Sequence, residues 1–260
     1  MFTNLQIEYD GDVLKVIIDS PDNPLNAVNE SMHHDLVILF RELKQENNAN
    51  AVLLSARGKA FSAGGDFEWF KKLREPSKVF ELNRDAKQLI WDMLDVELPI
   101  VTAVHGFAMG LATSITLFSD VIFLGESARI ADPHVRAGIV AGDGGTVAWP
   151  LAIGPARAKE YLMTGDPLTA AQAHEMGLVN HVVADDELQE TALAFARRLA
   201  AGAPMAVRYT KLAVNKLVKQ ALGVAFDSAT GYEMVTLLSK DHVEAVDAFL
   251  EKRPPTFTGH

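Results

Sequence analysis

Residues 99–110, PIVTAVHGFAMG, run from an apolar stretch into a glycine turn, and the turn continues into the apolar segment GLATSITLFSD at 110–120. The β-branched run at 100–104 predicts a buried strand, and the segment after it predicts a buried helix. Glycine allows backbone N–H groups to approach a ligand closely, and a helix start adds N–H donors that lack intrahelical partners. This stretch therefore predicts a strand–turn–helix unit whose turn could hold an anion.

A second glycine turn, FSAGGDF at 61–67, follows the apolar strand AVLLSA at 51–56. Two backbone N–H groups from different loops can form an oxyanion hole, which stabilises negative charge on a carbonyl oxygen. Glycine turns after strands are common, however, so their spacing alone favours two ordinary turns over a binding site.

The remaining pattern indicates an α/β protein. We expect strands at 5–9, 13–19, 51–56, 100–106 and 121–125. Helices are expected at 29–46, 78–95, 146–152, 155–163, 169–176, 186–200, 204–222 and 239–251. Strands alternate with helices in the first half and helices dominate the second, so we predict a sheet-bearing core over 1–200 and a helical region over 201–260. Segments 67–80 and 226–240 are expected to be loops that shape a pocket.

Composition narrows the function. The 260 residues include no cysteine, which excludes disulfides, thiolate metal sites and a cysteine nucleophile. A net charge of −10 argues against nucleic acid as a partner. No signal peptide and no membrane-length apolar run is visible, so we expect a cytoplasmic protein without a membrane partner. The eight histidines show no metal-ligand spacing beyond the adjacent pair His33 and His34, so we expect no metal site.

The stretch DPHVRAGIVAGDGGT at 132–146 places His134 and Asp143 nine residues apart among glycines. They could form an acid/base pair, in which partial burial would raise the pKa of Asp143 towards neutral pH. The alternative is structural: His134 would be a buried, hydrogen-bonded residue, and Asp143 would cap a helix that begins near Gly144.

Three segments together resemble the crotonase (enoyl-CoA hydratase/isomerase) family. They are FSAGGDF at 61–67, PIVTAVHGFAMG at 99–110 and YLMTGDPLTAAQAHEMGLVNHVV at 161–183. The resemblance covers nearly the whole chain. It implies a spiral of ββα units with a C-terminal helical region that supports a homotrimer or a dimer of trimers. It also implies an acyl-CoA thioester as the small-molecule substrate, with coenzyme A arriving as part of the substrate and no separate cofactor.

The resemblance also implies roles for particular residues. The backbone N–H groups of Gly65 and Leu111 would form the oxyanion hole, although the family usually has glycine at the position of Leu111. Positions that would contact the substrate are Ala27, Val28, Ala63, Gly110, Ser114 and Gly142. The basic residue that often precedes the first loop is missing. Either the affinity for CoA is reduced, or Lys252 or Arg253, of this chain or of a neighbouring subunit, would meet the phosphates of CoA. Trp69, Phe70 and Trp91 either line the acyl pocket or belong to the core.

This chain departs from the family where hydratases carry two glutamates, because Ser114 and His134 occupy those positions. Ordinary hydration by two glutamates is therefore in doubt. Asp143 falls where several isomerases of the family carry a catalytic aspartate. A single carboxylate beside an enolate can move a proton between carbons, so we expect hydration or double-bond isomerisation, with isomerisation chemically easier.

Two alternatives remain open. The branch of the family that cleaves cyclic β-diketones also shows a His and an Asp nine residues apart, and it needs no CoA. Its further polar groups would fall near His34 and Glu233, but it has a histidine where this chain has Leu111. The second alternative is a family member that only binds an acyl-CoA and has lost catalysis.

Overall fold

A computed structural model describes residues 2–260 of the chain, which form two sheets surrounded by helices. The large sheet has the order β1-β2-β3-β4-β6-β9. Its strands are β1 (Leu5–Asp10), β2 (Val13–Ile18), β3 (Ala51–Ala56), β4 (Ile100–Val104), β6 (Val121–Gly125) and β9 (His181–Val183). Only the edge strand β1 pairs antiparallel; the other pairs in this sheet are parallel.

The small sheet has three short strands in the order β5-β7-β8. They are β5 (Phe107–Met109), β7 (Arg129–Ala131) and β8 (Leu168–Thr169). β5 pairs parallel with β7, and an isolated parallel bridge joins Ser62 to Ala108. Each turn of the chain therefore places one strand in the large sheet and a short strand or bridge beside the small one before a helix begins. This repeat confirms the predicted spiral of ββα units.

The helices lie close to the predicted positions. They are α1 (Glu30–Leu43), α2 (Phe67–Phe70), α3 (Pro76–Asp95), α4 (Leu111–Leu117), α5 (Gly145–Ile153), α6 (Pro155–Thr164), α7 (Ala170–Glu175), α8 (Leu188–Ala200), α9 (Pro204–Leu237) and α10 (Lys240–Leu250). Short 3₁₀ helices cover Lys71–Arg74 and His134–Ala137. None of the helices in residues 2–260 is long and apolar enough to cross a membrane.

The strands of the large sheet read as continuous apolar runs because the sheet is covered on both faces. All six residues of β3 are buried, with successive side chains packing into different clusters. Leu53 joins the cluster beneath α8, whereas Leu54 joins the main core with Phe40 and Phe61. Phe40 and Phe61 are fully buried, so α1 and the first glycine turn are fixed to the same core.

Two segments expected to be loops are helical. Residues 226–240 mostly belong to α9, which continues to Leu237 instead of ending at 222, and residues 67–80 form α2, a 3₁₀ turn and the start of α3. The expectation of loops was wrong because contacts with the rest of the protein stabilise segments whose own pattern is weak. α9 packs against α3 and α5, so the helical C-terminal region is joined to the core rather than separate from it.

The glycine turn at Gly106 should be a sensitive point of the fold. Gly106 has φ +62°, and a Cβ there would collide with the carbonyl oxygen of Lys59 and lie 2.9 Å from the Cα of Ala60. Gly11 has a similar φ of +55° but nothing within 4 Å of an added Cβ. We expect Gly11→Ala to cost about 1 kcal/mol of unfolding free energy and Gly106→Ala roughly 3 kcal/mol, measured by urea denaturation. Equal losses would show that the contact with Lys59 and Ala60 is unimportant.

Candidate active site

Parallel pairing of the short strands aligns the ends of successive turns of the spiral. Met109 pairs with Ala131, and the Gly110 N–H donates to the Ala131 carbonyl at 3.2 Å. The residues that follow these strand ends therefore lie side by side. Gly110 has φ +57°, a backbone conformation that favours glycine, and a Cβ there would touch the His134 ring at 3.4 Å, which shows how near the two loops lie.

Gly65 and Leu111 present free backbone N–H groups. In the bridge between Val28 and Gly65, the bonds run from the Val28 N–H to Gly64 and from the Asp66 N–H to Val28, so the Gly65 N–H is not used. Leu111 is the first residue of α4, where an N–H has no intrahelical acceptor. Within residues 2–260 neither N–H finds an acceptor, and both residues border one cavity. The two N–H groups are available to a carbonyl oxygen.

Asn26 holds the loop before α1 against the first glycine turn. It has a left-handed backbone, φ +50°, and its side-chain amide donates to the carbonyls of Arg57 and Ala60. The Ser62 hydroxyl donates back to the Asn26 carbonyl at 2.6 Å. These bonds fix Val28 beside the glycine turn, where its side chain lines the cavity.

We call the enclosed space next to these N–H groups the inner cavity. Its polar and backbone groups come from six separate parts of the chain. They are His33, Gly65, Asn83, Leu111, the pair His134 and Asp143, and Glu233. Ser114 does not line the cavity, but its hydroxyl donates to Oδ1 of Asp143 at 2.9 Å. Tertiary folding thus brings the predicted acid/base residues to the predicted oxyanion hole.

His134 lies between two carboxylates. Its Nδ1 donates to Oδ1 of Asp132, and its Nε2 lies 3.4 Å from Oδ2 of Asp143. Asp132 is not among the residues predicted from the sequence. It lies two residues before His134, and a spacing of two does not by itself indicate that the side chains are in contact. Asp132 orients the imidazole ring from the side opposite Asp143 and is 1% exposed.

The paired charges set the protonation states of this group. Burial alone would lower the pKa of His134, but the two carboxylates outweigh it and hold that pKa well above its ordinary value. Burial would likewise raise the pKa of Asp143, but His134, the Ser114 hydroxyl and the Gly145 N–H outweigh it and lower that pKa. The expectation of a raised pKa for Asp143 was therefore wrong, because the imidazolium beside it favours the ionised carboxylate.

Glu233 is the carboxyl group with the raised pKa. It lies on α9, where its side chain lines the inner cavity, and Gly142 makes room for it, since a Cβ at Gly142 would lie 2.6 Å from Oε2. Burial, together with the negative charge of Asp143, raises the pKa of Glu233 to about 8. At neutral pH the cavity therefore contains an ionised carboxylate, Asp143, and a protonated one, Glu233.

The histidine of α1 that lines the inner cavity is His33 and not His34, near which the resemblance placed a polar group. His34 is exposed and faces outside the inner cavity, whereas the adjacent His33 is buried and lines it. Burial lowers the pKa of His33 to about 4, so its ring is neutral at pH 7. Helical spacing could have identified it, because His33 shares a face with the core residues Leu36 and Phe40.

Asp132, His134 and Asp143 carry ligand-type atoms within 4.8 Å of one another, which raises the question of a metal ion. The two carboxylates contact opposite nitrogens of one imidazole ring. A metal ion bound to either nitrogen would have one carboxylate near it and the other behind the ring. The arrangement fits two hydrogen bonds to an imidazolium better than a shared metal ion, which needs converging ligands.

A second, more open space, the outer cavity, adjoins the inner one at Gly65, Phe70 and His134. Ala63 and Gly110 line the outer cavity, but Ala27 lines neither cavity.

Arg253 also lines the outer cavity. Its guanidinium contacts Glu244 at 2.5 Å and Glu251 at 2.7 Å, so its charge is already balanced within the chain. Trp69 and Phe70 are expected either to line a pocket or to belong to the core. Both are only partly buried and line the inner cavity, which favours the first role.

The family model for enoyl-CoA hydratase/isomerase matches residues 8–260. An enoyl-CoA isomerase/hydratase of Mycosarcoma maydis is 32% identical, with 95% of this chain and 93% of that protein covered. A crystal structure of an enoyl-CoA hydratase/isomerase from Mycobacterium paratuberculosis superposes with a TM-score of 0.91 at 35% identity, covering 95% and 98% of the two chains. A β-diketone hydrolase from the cyanobacterium Anabaena, bound to (S)-3-oxocyclohexyl acetic acid, gives a TM-score of 0.86 at 29% identity, covering 91% and 95%.

The spiral fold defines the class, a crotonase-fold protein, and two free backbone N–H groups border one cavity in it. The chain belongs to the enoyl-CoA hydratase/isomerase family and is an enzyme of that family.

The raised pKa of Glu233 makes stability depend on pH. The unfolded carboxyl loses its proton near pH 4.5 and the folded one near pH 8, so the folded state binds this proton more tightly. The resulting stabilisation is complete below pH 4.5 and is lost as pH rises to about 8. We expect Glu233→Gln to remove this dependence, which is on the order of a few kcal/mol in urea unfolding.

Glu42→Gln, at an exposed position on α1, is the matched control and should keep the wild-type dependence on pH. If Glu233→Gln and Glu42→Gln follow the same curve, Glu233 titrates near its ordinary pKa and is not the protonated group of the cavity.

Proposed function

We propose that this chain is an acid/base enzyme that hydrates, or shifts the double bond of, an enoyl-CoA thioester. The observation that carries the proposal is the opposite protonation of Asp143 and Glu233 in one cavity beside two free N–H groups. Two titratable groups whose surroundings push their pKa values apart are suited to act as base and acid at the same pH. CoA would enter as part of the substrate, and no separate cofactor is needed.

In hydration, the thioester carbonyl oxygen accepts hydrogen bonds from the N–H groups of Gly65 and Leu111. The Asp143 carboxylate takes a proton from water as the hydroxyl bonds to the β-carbon, and the double-bond electrons move onto the thioester oxygen. The Glu233 carboxyl then donates its proton to the α-carbon, and the carbonyl re-forms. Solvent exchange restores both groups. His134 holds Asp143 ionised and oriented throughout.

Isomerisation uses the same groups without water. Asp143 removes a proton from the α-carbon of a β,γ-unsaturated thioester, and the charge moves onto the oxygen held by the two N–H groups. Glu233 donates its proton to the γ-carbon, which completes the shift. Isomerisation makes the same two proton transfers without binding a water molecule or forming a carbon–oxygen bond, and is therefore the simpler of the two for this site.

A second candidate is hydrolysis of a carbon–carbon bond in a cyclic β-diketone. The arrangement of His134, Asp143 and Glu233, with His33 at the cavity wall, supports it. The similarity to the Anabaena β-diketone hydrolase adds support. In that reaction Asp143, held ionised by His134, would take a proton from water as the hydroxyl bonds to one carbonyl carbon. The bond from that carbon to the carbon between the two carbonyls would then break, and the enolate that leaves would take a proton from Glu233.

Asp143→Asn tests the proposal directly. We expect kcat for loss of the conjugated thioester of a short enoyl-CoA to fall by at least about 100-fold, because Asn cannot accept the proton. The affinity for the saturated thioester should change by less than about threefold, because the oxyanion hole is untouched. The measurement is the ultraviolet absorbance of the thioester, with calorimetry for binding.

Asp12→Asn is the control, because Asp12 is exposed at the turn between β1 and β2. It should keep wild-type kcat. Undiminished turnover in Asp143→Asn would overturn the assignment of the base. If the wild type does not use the conjugated thioester, β,γ-enoyl-CoA and a cyclic β-diketone are the next substrates, and release of a carboxylic acid without CoA would establish the second candidate.

We also propose that the chain assembles as a homotrimer or a dimer of trimers. α9 carries exposed apolar side chains at spacings of a helical stripe. They are Val214, Leu217, Val224 and Val235, between 57% and 83% exposed. Exposed apolar surface of this kind is characteristic of an interface between protein chains. A cytoplasmic location remains a prediction of the sequence.

Introducing charge into this stripe should weaken assembly. We expect the wild type to elute at a multiple of the 28.3 kDa chain mass and the double variant Leu217→Glu, Val224→Glu to shift towards one chain, as measured by light scattering. Phe80→Glu changes another exposed apolar side chain, on α3, and should leave the mass unchanged. A wild type that elutes as a single chain would rule out the proposed assembly.

A further inference from the structure

A surface groove lies next to the inner cavity, on a side away from the outer cavity. It is lined by residues of α1, α2 and the start of α3, and we call it the acidic groove. The residues shared by the cavity and the groove are His33, Trp69 and Leu82. Each of these three side chains borders both spaces, so their size affects how far the spaces are separated. Trp69 is the largest of the three and is only partly buried, because one side faces the groove.

The position of Trp69 is well defined. α2 is capped by Asp66, whose Oδ1 accepts from the N–H groups of Glu68 at 2.7 Å and Trp69 at 3.1 Å. The Trp69 ring lies 5.6 Å from the His33 ring and 6.1 Å from the Phe70 ring, measured between centroids. Two adjacent aromatic residues of one short helix therefore close the inner cavity: Phe70 towards the outer cavity and Trp69 towards the acidic groove.

The groove beyond Trp69 carries an excess of negative charge. Its carboxylates are Glu30, Asp66, Glu68, Glu81 and Asp85, and its ammonium groups are Lys72 and Lys78. Lys78 is paired with Glu81 at 2.9 Å. Two more carboxylates are paired with neighbouring basic residues, Asp85 with Arg84 at 2.9 Å and Glu68 with Lys71 at 4.0 Å, so within residues 2–260 the excess charge comes from Glu30 and Asp66. His33 adds no positive charge to the wall at neutral pH, since burial lowers its pKa to about 4. A group that leaves the inner cavity on this side meets a surface that favours cations and disfavours anions.

We propose that Trp69 is a specificity-determining residue: it limits the inner cavity to substrates with a short distal end, and its removal admits longer ones into the acidic groove. The distal end that the groove favours is neutral or cationic, and a terminal carboxylate is disfavoured. This inference rests on the proposed function only in taking the inner cavity as the place where the reacting end of the substrate binds.

The test compares wild type with Trp69→Ala, Trp69→Phe and the control Phe80→Ala, which removes an aromatic ring that lines neither space. Dissociation constants are measured by calorimetry for butanoyl-CoA and decanoyl-CoA. They are also measured for decanoyl thioesters that end in an ammonium or a carboxylate. These saturated ligands bind without reacting, so the result does not depend on which reaction the enzyme catalyses. Ethylcyclohexanone and octylcyclohexanone provide the same comparison without CoA.

We expect wild type and Phe80→Ala to bind the short ligand better than the long one. In Trp69→Ala the affinity for the long ligand should rise at least about tenfold relative to the affinity for the short one, because the long acyl group then covers apolar wall that the indole had covered. Trp69→Phe, which preserves an aromatic ring and guards against misfolding of the alanine variant, should fall between them. In Trp69→Ala the ammonium-terminated ligand should bind more tightly than the carboxylate-terminated one.

The proposal is overturned if wild type already binds both lengths equally, or if Trp69→Ala keeps the wild-type ratio of long to short ligand. Equal binding of the two charged ligands by Trp69→Ala would overturn the role of the acidic groove. A failure of the proposed function appears differently: the thioesters would not bind to any variant, and the cyclohexanone pair would then decide the role of Trp69.

Discussion

The parallel pairing of the short strands is the constraint on which the rest of the structure depends. It joins Ser62 to Ala108 and Met109 to Ala131, so three successive turns of the spiral end at neighbouring points. The N–H groups at Gly65 and Leu111 and the imidazole of His134 follow directly from those ends. A shift of this register by one residue would reverse the direction of each side chain and separate the N–H groups from the acid/base residues.

The buried charges of His134, Asp132 and Asp143 set the protonation states at this position. The imidazolium of His134 is stabilised by Asp132 and Asp143, which would each be costly to bury without it. Asp132 supplies the second negative charge, which leaves Asp143 oriented towards the cavity. Glu233 then has no cation of its own and stays protonated. One cation shared by two carboxylates thus leaves Asp143 ionised and Glu233 protonated, as the proposed roles of base and acid require.

The family explains the scaffold, and the departures from it explain the chemistry. The two free N–H groups belong to the backbone, and therefore remain available with leucine at position 111. Ser114 and His134 stand where the resemblance places the two glutamates of the hydratases, but the cavity still has a pair of carboxyl groups, Asp143 from the loop before α5 and Glu233 from α9. In the proposed mechanism these two groups serve as the base and the acid. The same cavity suits a thioester enolate and a β-diketone enolate, since both place negative charge on an oxygen.

The sequence by itself determined the elements and the backbone site. Apolar runs, helical spacing and glycine turns are local, so the main strands, most of the helices, the two N–H loops and the pair His134 and Asp143 were visible in it. The short strands and the continuation of α9 to Leu237 were not. The tertiary structure decided which groups join the pair. Asp132 and His33 depend on side-chain direction and on the packing of α1 against the loops. Glu233 was indicated only by the resemblance to the β-diketone hydrolases, because α9 lacks a pattern of its own near it. The protonation states were decided last, because a pKa reflects the burial and charge of neighbours that are distant along the chain.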